Sequence, residues 1–296
     1  MRHGSIPYIK ALFAVIVWGA SFIATKVALR DVSPVTVVWT RFAMGVIILG
    51  AIVSARRQIS LPARNELAYF ALLGFLGITF HQWLQSTGLV TAQATTTAWI
   101  VATTPVFIAV LGWLFLKEFL GWPQMVGILM AGAGVLLVVS KGDLASLTSG
   151  KFGTLGDFLI MLSAPNWAVF SILSRRGLEK HPAARMMFYV MTIGWLFSSV
   201  LFFAGPGPSE LSQLTTQGWL GVAFLGIFCS GLAYIAWYDA LQSLPASQVG
   251  VFLYIEPLVA VIMAGVLLGE TVNLLSMLGG GVILLGVYLV NRRIKT

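Results

Sequence analysis

The stretch LYIEPLVAVIMAGVLLGE, residues 253–270, is apolar almost throughout and is long enough to cross a lipid bilayer as one helix. Within it Glu256 and Pro257 stand side by side, and the stretch ends on Glu270. A carboxylate at mid-membrane depth costs about 3 kcal/mol on insertion scales, so such a residue usually faces a protein interior or a water-filled path. The stretch therefore predicts a membrane-spanning helix that carries an ionisable side chain into the protein.

The composition of the whole chain predicts the same class of protein. Of its 296 residues 58% are hydrophobic and only 9% are charged, with a mean hydropathy of +0.91, which leaves too little charge to cover a soluble domain. The apolar stretches lack the alternation of barrel strands, so we expect helices. Ten spans are predicted, at residues 8–29, 35–54, 66–87, 93–116, 122–140, 155–174, 184–204, 218–242, 247–268 and 273–291.

The distribution of lysine and arginine predicts the orientation of these spans. If the N-terminus is cytoplasmic, 13 of these residues fall on the cytoplasmic side and 4 on the opposite side, with Arg41 inside a span. Cationic residues concentrate in cytoplasmic loops, so both termini are predicted to be cytoplasmic. This bias also accounts for the net charge of +8 without a nucleic-acid partner.

The polar stretch SKGDLASLTSGKFGTLGD, residues 140–157, divides the chain into two halves of five spans each, and we predict two units, residues 1–145 and 146–296. Since five is odd, the second unit must enter the membrane from the opposite side. The predicted fold is an all-α membrane protein of ten transmembrane helices, arranged as two inverted five-helix repeats around a central cavity. A shift of 152 positions superimposes like residues without a gap: Pro105 on Pro257, Glu118 on Glu270, Gly127 on Gly279 and Gly134 on Gly286.

Polar and aromatic side chains at helical spacing mark the candidate cavity. In the third span Gln82 and Gln85 share one face, and residues at the matching positions of the eighth span include Tyr234 and Tyr238. Matching positions in both halves favour a cavity between these helices, although glutamines and tyrosines also join membrane helices by hydrogen bonds. Further aromatic candidates are Trp18, Trp99 and Trp167.

Glu256 is the position at which the two halves differ, because its repeat counterpart is the neutral Thr104. Three roles are open to its carboxylate: proton exchange with each aqueous face, pairing with a cationic group of a substrate, or an ion pair with Arg41. Arg41 lies inside the second span, about 10 Å from its end at 1.5 Å per residue. There its side chain can either snorkel to the membrane interface or bind an anion.

The other repeated residues have structural interpretations. Pro105 and Pro257 each remove a backbone hydrogen bond and are candidate hinges. Glu118 and Glu270 each precede a helix, whose N-terminal partial positive charge stabilises a carboxylate. The glycines that recur seven residues apart in the fifth and tenth spans allow these helices to pack closely.

The chain shows no sequence pattern typical of a membrane enzyme or a metalloprotein. We find neither H-E-x-x-H nor G-x-S-x-G, and no convincing pair of intramembrane aspartates. Three histidines and one cysteine are too few to indicate a metal site. We therefore expect a protein that is not an enzyme and that uses no cofactor and no metal.

The segments PVFIAVLGWLFLKE (105–118), PLVAVIMAGVLLGE (257–270) and VWGASFIATKVAL (17–29) together resemble the repeated signature of the drug/metabolite transporter superfamily, specifically its EamA-type ten-helix members. The resemblance covers nearly the whole chain. It implies a secondary transporter in the bacterial inner (cytoplasmic) membrane, with a cavity formed by the first, third, fourth, sixth, eighth and ninth helices. The substrate-binding residues that it favours in this sequence are Trp18, Gln82, Gln85, Trp99, Trp167, Tyr234, Tyr238 and Glu256.

The function expected from this resemblance is export of small metabolites such as amino acids by alternating access, with protons as a candidate coupling ion. The expected partners are a small-molecule substrate and the lipid bilayer, and the expected state is a monomer or a weak homodimer. Two alternatives stay open. An exchanger of nucleotide sugars or sugar phosphates would need several intramembrane cations to hold phosphate, and this chain has only Arg41 and, near a span end, Lys26. A non-transporting membrane scaffold would leave the buried carboxylate without a role.

Overall fold

A computed structural model describes residues 5–117, 119–143, 146, 152–244, 246–271 and 273–291 of the chain. Within these residues ten helices are long and apolar enough to cross a membrane, as predicted, and their bounds lie within four residues of the predicted ones. The helices are α1 (Ile6–Ala28), α2 (Pro34–Ala55), α3 (Arg64–Thr91), α4 (Ala94–Phe115), α5 (Trp122–Val139), α6 (Leu155–Leu178), α7 (Ala183–Ala204), α8 (Thr216–Ser243), α9 (Gln248–Leu268) and α10 (Leu274–Asn291).

Local sequence determines where several of these helices begin. In α2 and α5 a proline occupies the first turn, at Pro34 and Pro123, where a backbone N–H has no acceptor within the helix in any case. α6 begins with a capping box: the N–H of Asp157 donates to Oγ1 of Thr154 at 3.2 Å, and the N–H of Thr154 donates to the Asp157 carboxylate at 2.7 Å. This box, at the end of the polar stretch, starts the second half of the bundle.

The two repeats share the same irregularities of the backbone. A π-helical segment interrupts α3 at Phe75–Phe80 and α8 at Phe224–Ala233, and the two segments overlap after the shift of 152 positions. α4 is broken before its second part, Thr104–Leu116, and α9 contains a 3₁₀ turn, Val251–Tyr254, at the corresponding place. The repeat found in the sequence is therefore also a repeat of backbone geometry.

The last helices of the two repeats, α5 and α10, pack against each other in opposite directions. Gly127 meets Gly286 and Gly134 meets Gly279, so rising residue numbers on one helix face falling numbers on the other. Because α5 and α10 are repeat counterparts, this antiparallel contact means that the two halves are inverted relative to each other. The predicted architecture of inverted repeats is confirmed.

Polar contacts join the two repeats at both ends of the bundle. At one end the Asp239 carboxylate accepts two hydrogen bonds from Arg56, at 3.0 and 2.9 Å, and one from Lys10 at 2.8 Å. At the other end the Glu270 carboxylate accepts hydrogen bonds from the N–H groups of Ala94, at 2.8 Å, and Thr95, at 3.0 Å. α1, α2 and α8 are thus tied at the first end, and α4 and α9 at the second.

Glu270 stabilises a different helix from the one predicted. The prediction assigned its carboxylate to the helix that follows it, but the carboxylate caps the start of α4 in the other repeat. The physical interaction is the expected one, a negative charge at a helix N-terminus. Lys26 at the end of α1 lies 3.8 Å from the same carboxylate and donates to the carbonyl oxygen of Ala92 at 2.6 Å. The corresponding prediction for Glu118 lies outside the described residues.

The contact between α5 and α10 predicts a contrast between two neighbouring glycines. A Cβ atom on Gly134 would lie 2.7 Å from the carbonyl oxygen of Gly279, whereas a Cβ atom on Gly132 has nothing within 4 Å. Gly134→Ala should therefore lower the free energy of unfolding by about 1–3 kcal/mol, as overpacked sites do. Gly132→Ala on the same helix should be neutral or stabilising by up to about 1 kcal/mol.

Both variants can be compared by reversible unfolding of the purified protein in detergent. Equal stability of the two variants would contradict the close packing of α5 against α10.

Candidate substrate cavity

A cavity lies at the centre of the bundle, and its wall comes from both repeats. Helices α1, α2, α3, α4, α6, α8, α9 and α10 contribute to the lining, so α2 and α10 add to the six helices that the resemblance implied. The polar and aromatic lining residues are Trp18, Ser21, Phe22, Arg41, His81, Gln82, Gln85, Thr104, Trp167, Tyr234, Tyr254, Glu256 and Asn291.

Six of the eight predicted binding residues line this cavity together. They come from five helices and from both halves of the chain, as a site between two repeats requires. The six are Trp18, Gln82, Gln85, Trp167, Tyr234 and Glu256.

Trp99 lies outside the cavity wall. It is 3% exposed, and its indole ring faces α10, where a Cβ atom on Gly280 would come within 2.4 Å of it. On α4 the cavity-facing residues include Ala98 and Ala102, one turn apart. Trp99 follows Ala98 by one position, which turns its side chain by about 100° at 3.6 residues per turn.

Tyr238 also lies outside the cavity wall. It is 6% exposed and packs in the apolar cluster that contains Phe70 and Met187. Tyr234, one turn earlier on α8, reaches the cavity, and the two tyrosine rings are 6.2 Å apart. The cavity therefore ends between the two tyrosines. A binding role for Trp99 or Tyr238 stays an untested prediction.

Aromatic rings form one wall of the cavity and are held in place by contacts with each other. The Trp18 ring meets the Tyr234 ring edge-on, with centroids 5.7 Å apart, and His81 and Trp167 lie 4.6 Å apart. The indole N–H of Trp18 donates to the carbonyl oxygen of Cys229 at 3.3 Å. Cys229 belongs to the π-helical segment of α8, whose wider turns often occur at functional sites.

The Glu256 carboxylate faces the cavity without a protein partner. Among the described residues none donates a hydrogen bond to it or forms an ion pair with it, so of its three possible roles the ion pair with Arg41 is absent there. Glu256 stands in the first turn of Ile255–Met263, directly after the 3₁₀ turn. Its counterpart Thr104 lines the same cavity at the start of the second part of α4.

The two candidate hinges stand beside these residues. Pro105 and Pro257 both line the cavity, and each lies in the first turn of a helical segment that begins after a break. At that position a proline costs no helical hydrogen bond. Both prolines thus lie beside the irregular turns of α4 and α9 at the cavity, and their role as hinges stays a prediction.

Arg41 is the functional candidate that the sequence interpretation undervalued. The alternative that it snorkels to the interface is wrong: its side chain is 5% exposed and lines the cavity. Its Nε donates to Oγ of Ser230 at 3.0 Å, and its Nη1 donates to Oε1 of Gln82 at 3.1 Å. The signal in the sequence was a charged residue well inside a span, which is by itself a reason to expect a functional site.

Metal ligands do not gather around this cavity. Over the residues that the structure describes, no group of three or more His, Cys, Asp or Glu side chains is placed to hold a metal ion. The chemistry available in the wall is therefore one carboxylate, one guanidinium, amide and hydroxyl groups, an imidazole and aromatic rings.

Comparison with known proteins identifies the class of molecule that carries this cavity. The profile of the EamA-like transporter family matches residues 5–140 and 154–292, so the chain belongs to this transporter family, within the drug/metabolite transporter superfamily. It is thus a multi-pass membrane protein with a small-molecule substrate, as the predicted class required.

Individual relatives agree with this membership. An uncharacterized transporter of Archaeoglobus fulgidus is 28% identical over 274 residues, which cover 93% of each chain. A "probable terminal-alkyne amino-acid exporter" of Streptantibioticus cattleyicolor is 26% identical over 95% of this chain and 92% of that protein. A crystal structure with 19% sequence identity superposes with a TM-score of 0.67 over 97% of this chain and 96% of the other, which supports the fold.

The boundaries of the cavity predict which engineered cysteines react with a water-soluble thiol reagent. Gln85→Cys should be modified rapidly, because Gln85 lines the cavity, whereas Tyr238→Cys should be modified slowly, because Tyr238 is buried in an apolar cluster. The native Cys229 is fully buried and adds little background. Glu179→Cys on the exposed loop between α6 and α7 is the positive control. Equal rates of thiol modification at positions 85 and 238 would contradict the placement of Gln85 in the cavity wall and Tyr238 outside it.

Proposed function

We propose that this protein is a secondary-active exporter of small metabolites such as amino acids, which works by alternating access in the cytoplasmic membrane. The observation that carries the proposal is the Glu256 carboxylate, which faces a cavity between two inverted repeats and has no partner among the described residues. Membership in a transporter family supports it, and a relative named as a probable amino-acid exporter supports the choice of substrate class.

The position of the cavity between the two ends of the bundle supports alternating access. The cavity lining extends to Gly250 and Asn291, near the start of α9 and the end of α10. At the opposite end Lys26, Glu270 and the start of α4 are in contact. Inverted repeats of similar structure can exchange these two arrangements, which would open the cavity to the other side. In this proposal the units 1–145 and 146–296 are the moving halves.

The orientation follows from the bias in positive charge. With both termini in the cytoplasm, the end of the bundle that carries the N-terminus, Lys10 and Arg56 is cytoplasmic. The OH of Tyr8 near the start of α1 donates to Gln248 at the start of α9, so the Gly250 side of the cavity belongs to the same end. The side of the cavity that Gly250 and Asn291 line is then the cytoplasmic side.

The composition of the wall favours a small amphipathic substrate. Trp18, Trp167 and Tyr234 offer apolar surface, while amide groups and one carboxylate offer few, well-separated polar contacts. Exchange of nucleotide sugars or sugar phosphates is less well supported, because Arg41 is the only lysine or arginine among the described residues that line the cavity. Lys26 lies at the closed end, beside Glu270. A scaffold without transport would leave the cavity without a role.

Proton coupling is proposed to use Glu256. One carboxylate can hold a proton or a substrate ammonium group, but not both strongly, because protonation removes the charge that attracts the cation. A proton that binds Glu256 from the outside would then release the substrate there. The protonated protein would change back to the state in which the cavity is open to the cytoplasm. This exchange would link export to the proton gradient.

Replacement of the carboxylate tests this coupling. In proteoliposomes that are screened with a panel of radiolabelled metabolites, the wild-type protein should accumulate at least one of them against its gradient when a pH gradient is imposed. Glu256→Gln keeps the size of the side chain but cannot release a proton, so it should abolish the response to pH. Glu179→Gln, an exposed loop residue, is the matched control. Normal pH-driven transport by Glu256→Gln would rule out the proposed role.

A further inference from the structure

Arg41 is a buried cation whose protein partners are neutral. Its guanidinium group is held by Ser230 on α8 and Gln82 on α3, and among the described residues no carboxylate oxygen lies within 4.0 Å of it. A buried charge without a counter-charge is costly, by several kcal/mol per ion even after the protein relaxes. Such a group is usually retained because something else supplies the opposite charge.

The two hydrogen bonds orient the guanidinium and leave most of its donors unused. Arginine has five N–H groups, of which Nε–H donates to Ser230 and one Nη1–H donates to Gln82. Both N–H groups of Nη2 and one of Nη1 have no acceptor among the described residues. Arg41 lines the cavity, so these donors are within reach of a bound solute. Two adjacent N–H groups of a fixed guanidinium match the two oxygens of a carboxylate.

The two residues that accept hydrogen bonds from Arg41 lie in or next to the π-helical segments of the bundle. Ser230 lies inside the π-helical segment of α8, and Gln82 follows the equivalent segment of α3 by two residues. The cation is therefore fixed where the two repeats meet, with α2 carrying the arginine and both π-containing helices carrying its acceptors. A flexible surface arginine would lack this preorganisation, which lowers the entropic cost of binding an anion.

We propose that Arg41 binds the carboxylate of the transported solute and thereby selects solutes that carry an acid group. This inference rests on the proposed function, since it names the residue that recognises one part of the substrate. Together with Glu256 on α9, Arg41 places one positive and one negative group in the wall of a largely aromatic cavity. The solute that matches both is a zwitterion with an apolar side chain.

A structural role for Arg41 predicts a different result from a recognition role. If Arg41 only joined α2, α3 and α8, its removal would change the shape of the cavity and weaken the binding of all solutes alike. If it binds a carboxylate, its removal will affect only solutes that carry that group. Pairs of solutes that differ by the carboxylate alone therefore separate the two roles.

The experiment measures binding to purified wild-type protein and variants with two such pairs: L-phenylalanine and phenethylamine, and L-leucine and isoamylamine. For the wild type we expect each amino acid to bind more tightly than its amine. Arg41→Gln should weaken amino-acid binding by about 10- to 100-fold, the range for charge-assisted hydrogen bonds. The same variant should change amine binding by less than about twofold, because no bond to the amine is lost.

Two further variants protect the test against misfolding. Arg41→Lys keeps the charge but replaces the planar guanidinium group with a compact ammonium group. Its loss of amino-acid binding should therefore lie between those of the wild type and Arg41→Gln. Arg30 is exposed near the end of α1, so Arg30→Gln makes the same chemical change outside the cavity. This variant should bind the amino acids and the amines as the wild type does. If Arg41→Gln unfolds in detergent, the Arg41→Lys variant alone decides between the two roles.

Several outcomes would overturn the inference. If the Arg41 variants lost equal binding affinity for the amino acid and the amine, the role of Arg41 would be structural. Binding of the amines but of no carboxylate-bearing solute by the wild type would remove the carboxylate site and leave the proposed transport function standing. Failure of the wild type to transport any solute of the broad metabolite panel would instead count against the proposed function itself.

Discussion

The hydrocarbon core of a membrane offers no water to hydrogen-bond the backbone, so each N–H and C=O group inside it must find a partner within the protein. This constraint makes all ten spans helical, and it allows irregular backbone only where other parts of the protein can satisfy it. The π-helical segments of α3 and α8 and the breaks in α4 and α9 all adjoin the central cavity. There the hydroxyl of Thr104 donates to the carbonyl oxygen of Val101 at 2.8 Å, and the indole of Trp18 donates to that of Cys229.

The same irregularities are what make the cavity chemically useful. A regular helix presents its backbone groups only to itself, whereas a broken helix exposes the start of a new segment to its surroundings. Glu256 and Thr104 occupy such starts, one from each repeat. Their difference in charge gives a structurally symmetric pair of helices an asymmetric cavity, so a solute can be oriented in a site that two similar halves enclose.

Close packing of α5 against α10 complements this arrangement. Glycines bring these two helices into backbone contact on one side of the bundle. Among the described residues that line the cavity none comes from α5 or from the glycine pairs, whereas α10 contributes Leu284, Val287 and Asn291. The remaining helices carry the aromatic and polar residues. α10 thus has two roles, since it packs against α5 through its glycines and also lines the cavity.

The sequence by itself determined the membrane class, the ten spans, the inverted repeat and six residues of the cavity wall, because hydropathy, helical period and repeat spacing are local properties of the chain. Tertiary structure decided what depends on how helices are rotated and crossed. In the packed bundle Trp99 contacts α10, and Tyr238 lies in an apolar cluster one turn beyond the cavity. The Glu270 carboxylate caps the start of α4 instead of α10. Tertiary structure also brought Ser230 and Gln82 to Arg41, since 189 and 41 residues of chain, respectively, separate these partners from it and only the packed bundle sets their distance.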